Sequence, residues 1–187
     1  MKIFISGGCK NGKSYCAVKL ASLLARPARP LYYIATMIPA DGEDDERVAR
    51  HRAERAGLGF TTIEKYRDID KIPSEYDLSG VFLLDSVTAL LANEMFYNGE
   101  FFENAHEKTG RELARLIAKA SDIVVVSDYI YSDAFIYDPA TENYRRGLGF
   151  CDKAAAGACD AVIEVAFGGI TIHKDTKGFF DIHGKII

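Results

Sequence analysis

The segment Lys2-Ile3-Phe4-Ile5-Ser6-Gly7-Gly8-Cys9-Lys10-Asn11-Gly12-Lys13-Ser14 decides the fold class of this 187-residue chain. Its apolar first part predicts a strand over Lys2–Ser6, Gly7–Ser14 fits the pattern G-x-x-x-x-G-K-[ST], and helical periodicity starts directly afterwards. In this order the three features predict a phosphate-binding P-loop, in which backbone N–H groups and Lys13 hold the phosphates and Ser14 binds Mg²⁺. The alternative is a glycine-rich turn that merely starts a helix, and the agreement of strand, Lys-Ser pair and helix disfavours it.

Beyond this segment, short apolar runs alternate with longer helical stretches, which is the pattern of βαβ units. Runs such as Val81–Leu84 and Ile123–Val126 are apolar on both faces, as in strands covered by helices on each side. We therefore predict an α/β fold of the P-loop NTPase type, with a mostly parallel central sheet and helices on both faces, in a single domain over residues 1–187. The predicted strands are Lys2–Ser6, Leu31–Thr36, Val81–Asp85, Asp122–Ser127 and Ala161–Ala166. The predicted helices are Lys13–Ala25, Glu43–Ala56, Val87–Tyr97, Glu103–Ala120 and Thr141–Gly157.

The C-terminal part of the chain has a different pattern. Gly168-Gly169 followed by Ile170–His173 predicts a hairpin that closes the edge of the sheet. The last stretch, Lys174–Ile187, contains Gly178 and Gly184 and predicts a further short hairpin.

Composition and charge exclude several classes of protein. The formal net charge of −4 comes without a basic stripe, so we expect no nucleic-acid partner, whereas mononucleotides remain possible ligands. No apolar run approaches the roughly 20 residues that span a bilayer, and the first residues do not resemble a signal peptide. The cysteines form no C-x-x-C pair, which predicts free thiols in a cytoplasmic protein. A metal site at Cys151 and Cys159 would lack a second ligand pair.

Asp85 ends a predicted strand, which is the position of the acid that holds Mg²⁺, directly or through water, in many P-loop enzymes. Its alternative role is to cap the N-terminus of the helix that begins at Val87. Ser86 could provide that cap instead, which would leave Asp85 for the metal. We favour the metal role.

A highly charged helix is predicted over Glu43–Ala56, where the chain begins with acids and becomes basic, as the helix macrodipole prefers. Arg47, His51 and Arg55 have the spacing i, i+4, i+8 and share one face of this helix. Two guanidinium groups beside an imidazole oppose its protonation, so we expect His51 to keep a nitrogen lone pair available. Attack on a phosphate suits such a histidine, although a charged helix with one histidine is more often a solvated face.

Five blocks of the sequence, in order and spacing, resemble the bifunctional adenosylcobinamide kinase and adenosylcobinamide-phosphate guanylyltransferase family of cobalamin biosynthesis. The resemblance is specific over roughly the first half of the chain. The blocks are Gly7-Gly8, Leu31-Tyr32-Tyr33-Ile34-Ala35-Thr36, Arg47-Val48-Ala49-Arg50-His51-Arg52, Thr62-Ile63-Glu64 and Leu83-Leu84-Asp85-Ser86-Val87-Thr88-Ala89-Leu90-Leu91-Ala92-Asn93.

The resemblance implies that GTP guanylylates His51 covalently and that His51 and Lys13 are catalytic. It implies GTP, or ATP as phosphoryl donor, with Mg²⁺ held by Ser14 and Asp85. It further implies a cobinamide-type acceptor and a homotrimer. The nucleotide-binding residues that it implies are Gly7, Gly8, Cys9, Lys10, Asn11, Gly12, Lys13, Ser14, Ala35, Thr36, Met37, Arg52, Ala53, Glu54, Arg55, Glu64 and Asp85.

The chain departs from this family after the strand Asp122–Ser127. The family carries Asn-Glu-Val-Gly and then Gly-Ile-Val-Pro, whereas this chain has the aromatic-rich segment Asp128–Pro139 without glycines. The following helix matches the family only in part, and Arg145 or Arg146 could keep its cationic role. The aromatic segment is either a core filler or an altered acceptor site.

Two other functions are compatible with the sequence. The protein could be a P-loop kinase or nucleotidyltransferase that acts on another small acceptor. It could also be a GTP-binding regulatory protein that has lost the acceptor pocket. GTP turnover with and without cobinamide, and labelling of His51, distinguish these functions from the leading one.

Overall fold

A computed structural model describes residues 1–25, 29–39 and 42–183, except for the side chains at 43–45, 47, 50, 54 and 183. The strands are β1 Lys2–Ser6, β2 Leu31–Ala35, β3 Phe60–Glu64, β4 Val81–Asp85, β5 Phe96–Tyr97, β6 Glu100–Phe101, β7 Asp122–Val126, β8 Ala161–Ala166 and β9 Gly169–Asp175. The helices are α1 Lys13–Leu24, α2 Gly42–Arg55, α3 Ile72–Glu75, α4 Val87–Met95, α5 Ala105–Lys119, α6 Pro139–Ala158 and α7 Phe179–His183, with a 3₁₀ turn at Ile69–Lys71 before α3.

A seven-stranded sheet in the order β3-β2-β4-β7-β1-β8-β9 forms the centre of the described structure. All its neighbouring strands pair in parallel except β8 and β9, which are antiparallel. Two apolar cores cover the two faces of the sheet. One contains side chains of α1, such as Leu20, and the other contains side chains of α4, α5 and α6, such as Leu90, Leu116 and Leu148. The predicted α/β fold of P-loop type, with helices on both faces and an antiparallel edge, is confirmed.

Two glycines are required by the backbone of the loop between β1 and α1. At Gly7 an added Cβ would lie 2.2 Å from the carbonyl oxygen of Val165 in β8, so no side chain fits there. Gly12 has φ 86°, a left-handed conformation that L side chains rarely adopt, and directly precedes the first residue of α1. The loop can therefore turn tightly from the strand into the helix.

The five strands and five helices predicted from the sequence are present, with ends within about two residues of the expected ones. The sequence analysis missed β3, an edge strand of which only Ile63 is buried. It also missed the short pair β5 and β6, whose residues are all exposed. Where few residues are buried, the hydrophobic pattern of a strand is weak.

The prediction of a short hairpin within Lys174–Ile187 is wrong. The strand β9 extends through Asp175, and the chain then turns at Gly178 and forms the helix α7. The carboxylate of Asp175 accepts hydrogen bonds from the backbone N–H groups of Phe179 and Phe180 at 3.1 and 2.8 Å, which caps this helix. Phe180 is buried in the core that contains α1. The Asp175 cap and the burial of Phe180 both favour the helix over a hairpin, and residues 184–187 lie outside the described ones.

The remaining expectations about composition concern thiols and membranes. All four cysteines are free, and Cys16, Cys151 and Cys159 are buried, which raises the pKa of their thiols to about 11, 12 and 12. Among the described residues, no helix has the length and apolar character needed to cross a membrane.

Candidate functional site: a P-loop beside a histidine-lined cavity

The P-loop lysine lies in a polar network at the carboxyl ends of β1 and β7. The buried Lys13 ammonium donates to the carbonyl oxygen of Gly8 at 2.6 Å and lies 2.8 Å from a carboxylate oxygen of Asp128. Asp128 follows β7, and the next residue, Tyr129, donates its backbone N–H to the carbonyl oxygen of Gly7 at 2.8 Å. The start of the aromatic segment is therefore fixed against the P-loop.

His51 is held by two side chains from the central sheet. Its Nδ1 lies 3.5 Å from Oδ2 of Asp85 and 3.4 Å from the hydroxyl oxygen of Tyr33. The Tyr33 hydroxyl also donates to Oδ2 of Asp85 at 3.0 Å. The strands β2 and β4 are neighbours, and their residues Ala35 and Asp85 are in register, which brings these groups to the same sheet edge. The contact fixes the ring through Nδ1, so Nε2 is the nitrogen on the opposite side of the imidazole.

Arg55 packs on the same cluster from the end of α2. Its guanidinium carbon lies 3.3 Å from the centre of the Tyr33 ring. Burial lowers the pKa of Arg55, and the nearby Tyr33 and Asp85 partly offset this effect. His51 is thus flanked by a cation, as the helical spacing predicts, but also by the Asp85 carboxylate, which the sequence analysis did not place there. The side chain of Arg47 lies outside the described residues.

Asp85 does not cap the helix that follows it. The hydroxyl of Ser86 accepts the N–H of Ala89 at 3.3 Å, which confirms that Ser86 provides the N-cap of α4. Thr36, which the resemblance places at the nucleotide, is fully buried: its hydroxyl donates to the Ser86 carbonyl at 2.7 Å and accepts the Ser86 N–H at 2.7 Å. Thr36 therefore joins the ends of β2 and β4. Because Ser86 caps the helix, the carboxylate of Asp85 remains at the site.

A cavity of about 260 Å³ opens in front of His51. Its polar wall includes Arg52, Glu64 and Tyr66. A guanidinium nitrogen of Arg52 lies 3.6 Å from a carboxylate oxygen of Glu64, and the Tyr66 hydroxyl donates to Glu64 at 3.1 Å. A carboxylate in such a position is able to accept hydrogen bonds from ribose hydroxyls or guanine N–H groups. Burial raises the pKa of Tyr66, and its hydrogen bond to Glu64 is the second cause of this rise. The phenol therefore keeps its proton and remains a hydrogen-bond donor.

The structure brings many of the implied nucleotide-binding residues to this cavity, but not all of them. Those that line it are Ala35, Met37, Arg52, Arg55, Glu64 and Asp85, and His51, implied as catalytic, lines it too. The P-loop residues 7–14 lie beside the cavity and are linked to it by Asp128, which lines the cavity and pairs with Lys13. Ala53 is exposed and not among the lining residues, and the side chain of Glu54 lies outside the described ones.

Sequence reasoning missed three residues that shape this site: Tyr33, Asp128 and Tyr144. Tyr144, on α6, lines the cavity and donates its hydroxyl to the carbonyl oxygen of Thr88 at 2.9 Å. Burial raises the pKa of its phenol. Asp128 follows β7 by two residues and so lies at the carboxyl edge of the sheet, as Asp85 does, and that position is a signal for site residues. Tyr33 lies in the middle of β2 and carries no such signal.

The aromatic segment after Asp128 is not a core filler for most of its length. Its side chains from Ser132 to Pro139 are exposed, and only Ile130 and Tyr131 pack against the core. Arg145, which was expected to keep a cationic role, is buried beneath the segment and lies 2.8 Å from Asp133 and 2.6 Å from Glu142. Its charge is used to hold the segment.

A second group of acids lies away from this cavity. Carboxylate oxygens of Asp68, Glu94 and Glu112 lie within 4.8 Å of one another. The ammonium nitrogen of Lys108 lies between them. It is 2.5 Å from a carboxylate oxygen of Asp68, 2.8 Å from one of Glu94 and 3.7 Å from one of Glu112. Lys71 and Arg67 also pair with Asp68 and Glu94, so three cations offset the three acids and the cluster is a structural ion-pair network.

The fold and the loop Gly7–Ser14 define the chain as an α/β protein of the P-loop NTPase-like class. Its likeness to solved structures agrees: it aligns with a DnaB-like replicative helicase (TM-score 0.56, 11% identity, 94% of this chain and 52% of that one) and with a protein from Pyrococcus horikoshii OT3 (TM-score 0.51, 12% identity, 94% and 87%). At such low identity these likenesses show the fold alone.

The model of one family, described as cobinamide kinase / cobinamide phosphate guanyltransferase, matches residues 3–173. The chain therefore belongs to this family. It is also 36% identical over 93 residues to the bifunctional adenosylcobalamin biosynthesis protein CobP of Pseudomonas aeruginosa, and the match spans about half of each protein, 50% of this chain and 52% of the relative.

Proposed function

We propose that the protein phosphorylates adenosylcobinamide and then transfers GMP from GTP to the resulting phosphate through a guanylylated His51, a step of cobalamin biosynthesis. Family membership supports the pair of activities. The observation that carries the assignment of the histidine is its place: His51 lines the cavity and contacts Asp85 through Nδ1, and Asp128, which lines the same cavity, pairs with the P-loop lysine.

In the transferase half-reaction the Nε2 lone pair of His51 attacks the α-phosphorus of GTP. A P–N bond forms, the P–O bond to the β-phosphate breaks, and pyrophosphate leaves with the electron pair. A phosphate oxygen of the acceptor then attacks the same phosphorus, the P–N bond breaks, and the imidazole regains its lone pair. Asp85 and Tyr33 orient the ring and stabilise the positive charge that it gains on attack.

In the kinase reaction the acceptor hydroxyl attacks the γ-phosphorus of GTP or ATP. The bond from the γ-phosphorus to the bridging oxygen breaks, the nucleoside diphosphate leaves, and the hydroxyl proton passes to solvent. Lys13 must exchange its contact with Asp128 for the phosphates when the nucleotide binds. Backbone N–H groups of the P-loop and the Lys13 ammonium then stabilise the charge on the transferred group.

Mg²⁺ fits the residues of this proposal, because the Ser14 hydroxyl and the Asp85 carboxylate are hard oxygen ligands. Ser86 and not Asp85 caps α4, so the Asp85 carboxylate is not used as a helix cap. When bound, it would neutralise charge on the β- and γ-phosphates. The homotrimer implied by the family is part of the proposal, and light scattering of the intact protein would test it as an assembly of three 20.6 kDa chains.

The deciding experiment incubates the intact protein with GTP labelled at the α- or at the γ-phosphorus. We expect covalent label from the α position only, its loss in His51→Ala, and its discharge by adenosylcobinamide phosphate. The matched control is His173→Ala on β9, an exposed histidine paired with Glu164, which should label normally. Label from the γ position, or α-label that persists in His51→Ala, would contradict the covalent role. Discharge by another small phosphate only would indicate a different acceptor, and tight GTP binding without label would indicate a regulatory protein.

A further inference from the structure

The segment that follows Asp128 exposes large apolar side chains to a degree that is unusual for a folded surface. The exposed fractions are 44% for Tyr129, 74% for Phe135, 97% for Ile136 and 39% for Tyr137. Single exposed apolar residues are ordinary, but a contiguous group marks a binding surface. We call these four residues the apolar platform.

The apolar platform is held in place from beneath by polar contacts. The buried Arg145 donates to Asp133 at 2.8 Å and to the carbonyl oxygen of Ile130 at 3.3 Å, and its guanidinium carbon lies 4.6 Å from the centre of the Tyr137 ring. Tyr137 also donates its hydroxyl to Asp133 at 2.9 Å. These contacts fix the backbone of the segment, while the side chains of Phe135 and Ile136 stay exposed.

Both ends of the segment are anchored as well. Tyr131 donates its hydroxyl to the buried carboxylate of Asp152 at 3.0 Å. Asp138 caps α6, and its carboxylate accepts the backbone N–H groups of Ala140 and Thr141 at 3.0 and 3.1 Å. The apolar surface is therefore preformed, which reduces the conformational entropy lost when a ligand binds to it.

The apolar platform is continuous with the nucleotide site. It begins one residue after Asp128, which lines the 260 Å³ cavity, and the N–H of Tyr129 donates to Gly7 in the P-loop. A second, open cavity of about 610 Å³ lies along it, lined by residues that include Tyr131, Phe135, Ile136 and Arg146. A ligand that reaches into the first cavity can therefore extend over the platform.

From these observations we infer that the apolar platform binds the flat face of the corrin macrocycle of the acceptor, which rests on the function proposed above. The first cavity is smaller than the roughly 300–1,000 Å³ of typical ligand sites, so a nucleotide already fills it and the macrocycle must lie outside. A corrin ring has apolar faces and amide groups at its edge. Aromatic and aliphatic side chains suit the face, and the exposed Arg146 offers donors to amide oxygens.

The test replaces Phe135→Ala together with Ile136→Ser and measures cobinamide binding by equilibrium dialysis, with the colour of the corrinoid as readout. We expect binding to weaken about tenfold, equivalent to about 1.4 kcal/mol. The matched control is Phe167→Ala with Ile172→Ser, two exposed positions on the β8–β9 hairpin, which should bind as the unmodified protein does. Guanylylation of His51 by α-labelled GTP, measured in parallel, should be equal in all three proteins and shows that each is folded.

The outcomes separate the two proposals. If the unmodified protein binds cobinamide and the double variant binds it equally well, the platform role is wrong and the proposed function stands. If the unmodified protein is guanylylated but does not bind cobinamide, the acceptor of the proposed function is wrong, and the corrin platform falls with it. If the double variant changes the mass of the assembly in light scattering, the platform is an interface between copies of the chain, which also overturns the inference.

Discussion

Two parts of the candidate site hold their side chains in different ways. One is the part around the P-loop and His51, which we call the nucleotide side, and the other is the segment Asp128–Pro139. On the nucleotide side, the buried Lys13 begins α1 directly after the P-loop, and the buried Tyr33 and Asp85 lie on the neighbouring parallel strands β2 and β4. The backbone of these elements therefore fixes where the three side chains start. In the segment, one buried arginine and two tyrosine hydroxyls hold a loop whose apolar side chains face solvent. In the functions that we propose, the phosphate chemistry would depend on the sheet and the P-loop, whereas acceptor binding would depend on a loop that can change without disturbing that chemistry.

The largest effect is expected for the P-loop lysine. Lys13→Ala removes the charge that we propose to stabilise the transferred phosphate, and we expect phosphoryl transfer to fall about 10²–10³-fold, the range for loss of one preorganised donor. Steady-state kinetics with GTP and cobinamide measure this. Lys19→Ala, an exposed lysine on the same helix, is the control and should leave the rate unchanged. A similar loss in both variants would mean that α1 as a whole, and not the Lys13 charge, is responsible.

A pH-dependent effect on stability is expected for Asp152, beneath the segment. Burial raises the pKa of its carboxyl from 3.8 to about 6. The folded state thus holds the proton more tightly than the unfolded state, so stability is lost as the pH rises from about 4 to about 6 and stays lower above that. Two pKa units correspond to about 3 kcal/mol at most.

Asp152→Asn should remove this loss, since the amide stays neutral and still accepts from Tyr131. Urea unfolding of both proteins from pH 4 to pH 7 measures it. We expect the variant to gain stability relative to the unmodified protein as the pH rises. A difference that is constant across this range would show that the Asp152 proton is not linked to folding.

A smaller loss of stability is expected when the support of the platform is removed. Arg145→Ala leaves Asp133 and Glu142 without their common partner, and because both carboxylates are partly exposed we expect a cost of about 1–2 kcal/mol. Thermal unfolding measures the cost, and cobinamide binding should weaken while guanylylation of His51 persists. The neighbouring exposed Arg146→Ala should leave the unfolding temperature nearly unchanged. Equal loss of guanylylation and of cobinamide binding in Arg145→Ala would break the distinction between the two parts of the site.

The smallest effect is expected for the hydroxyl that orients the histidine. Tyr33→Phe removes one hydrogen bond to Asp85, worth about 0.5–1.5 kcal/mol, so guanylylation of His51 should slow by up to about tenfold. Tyr32→Phe is the matched control on the same strand, where the ring packs against Phe82 and Tyr76. Single-turnover labelling with α-labelled GTP compares them. If Tyr33→Phe labels as fast as Tyr32→Phe, the contact with Asp85 alone orients the ring.

Much of the nucleotide side could be predicted from sequence because local patterns encode it. The P-loop, Asp85 at a strand end and the helical face of His51 and Arg55 each depend on residues close together in the chain. The contact between His51 and Asp85 could not be predicted, because it depends on how α2 packs above the sheet. For the same reason Tyr33, in a buried strand, was read as part of a block and not as a site residue.

Sequence patterns alone predicted the alternation of strands and helices and the position of the P-loop, and they offered Ser86 as an alternative to Asp85 for the helix cap. Backbone geometry and hydrogen bonding over a few residues control these features. Only the folded chain shows that Asp128 pairs with Lys13, that Arg145 is buried beneath its segment and that Phe180 packs from α7 into the core. These outcomes depend on contacts between residues distant in the chain, where burial and charge pairing outweigh local preference.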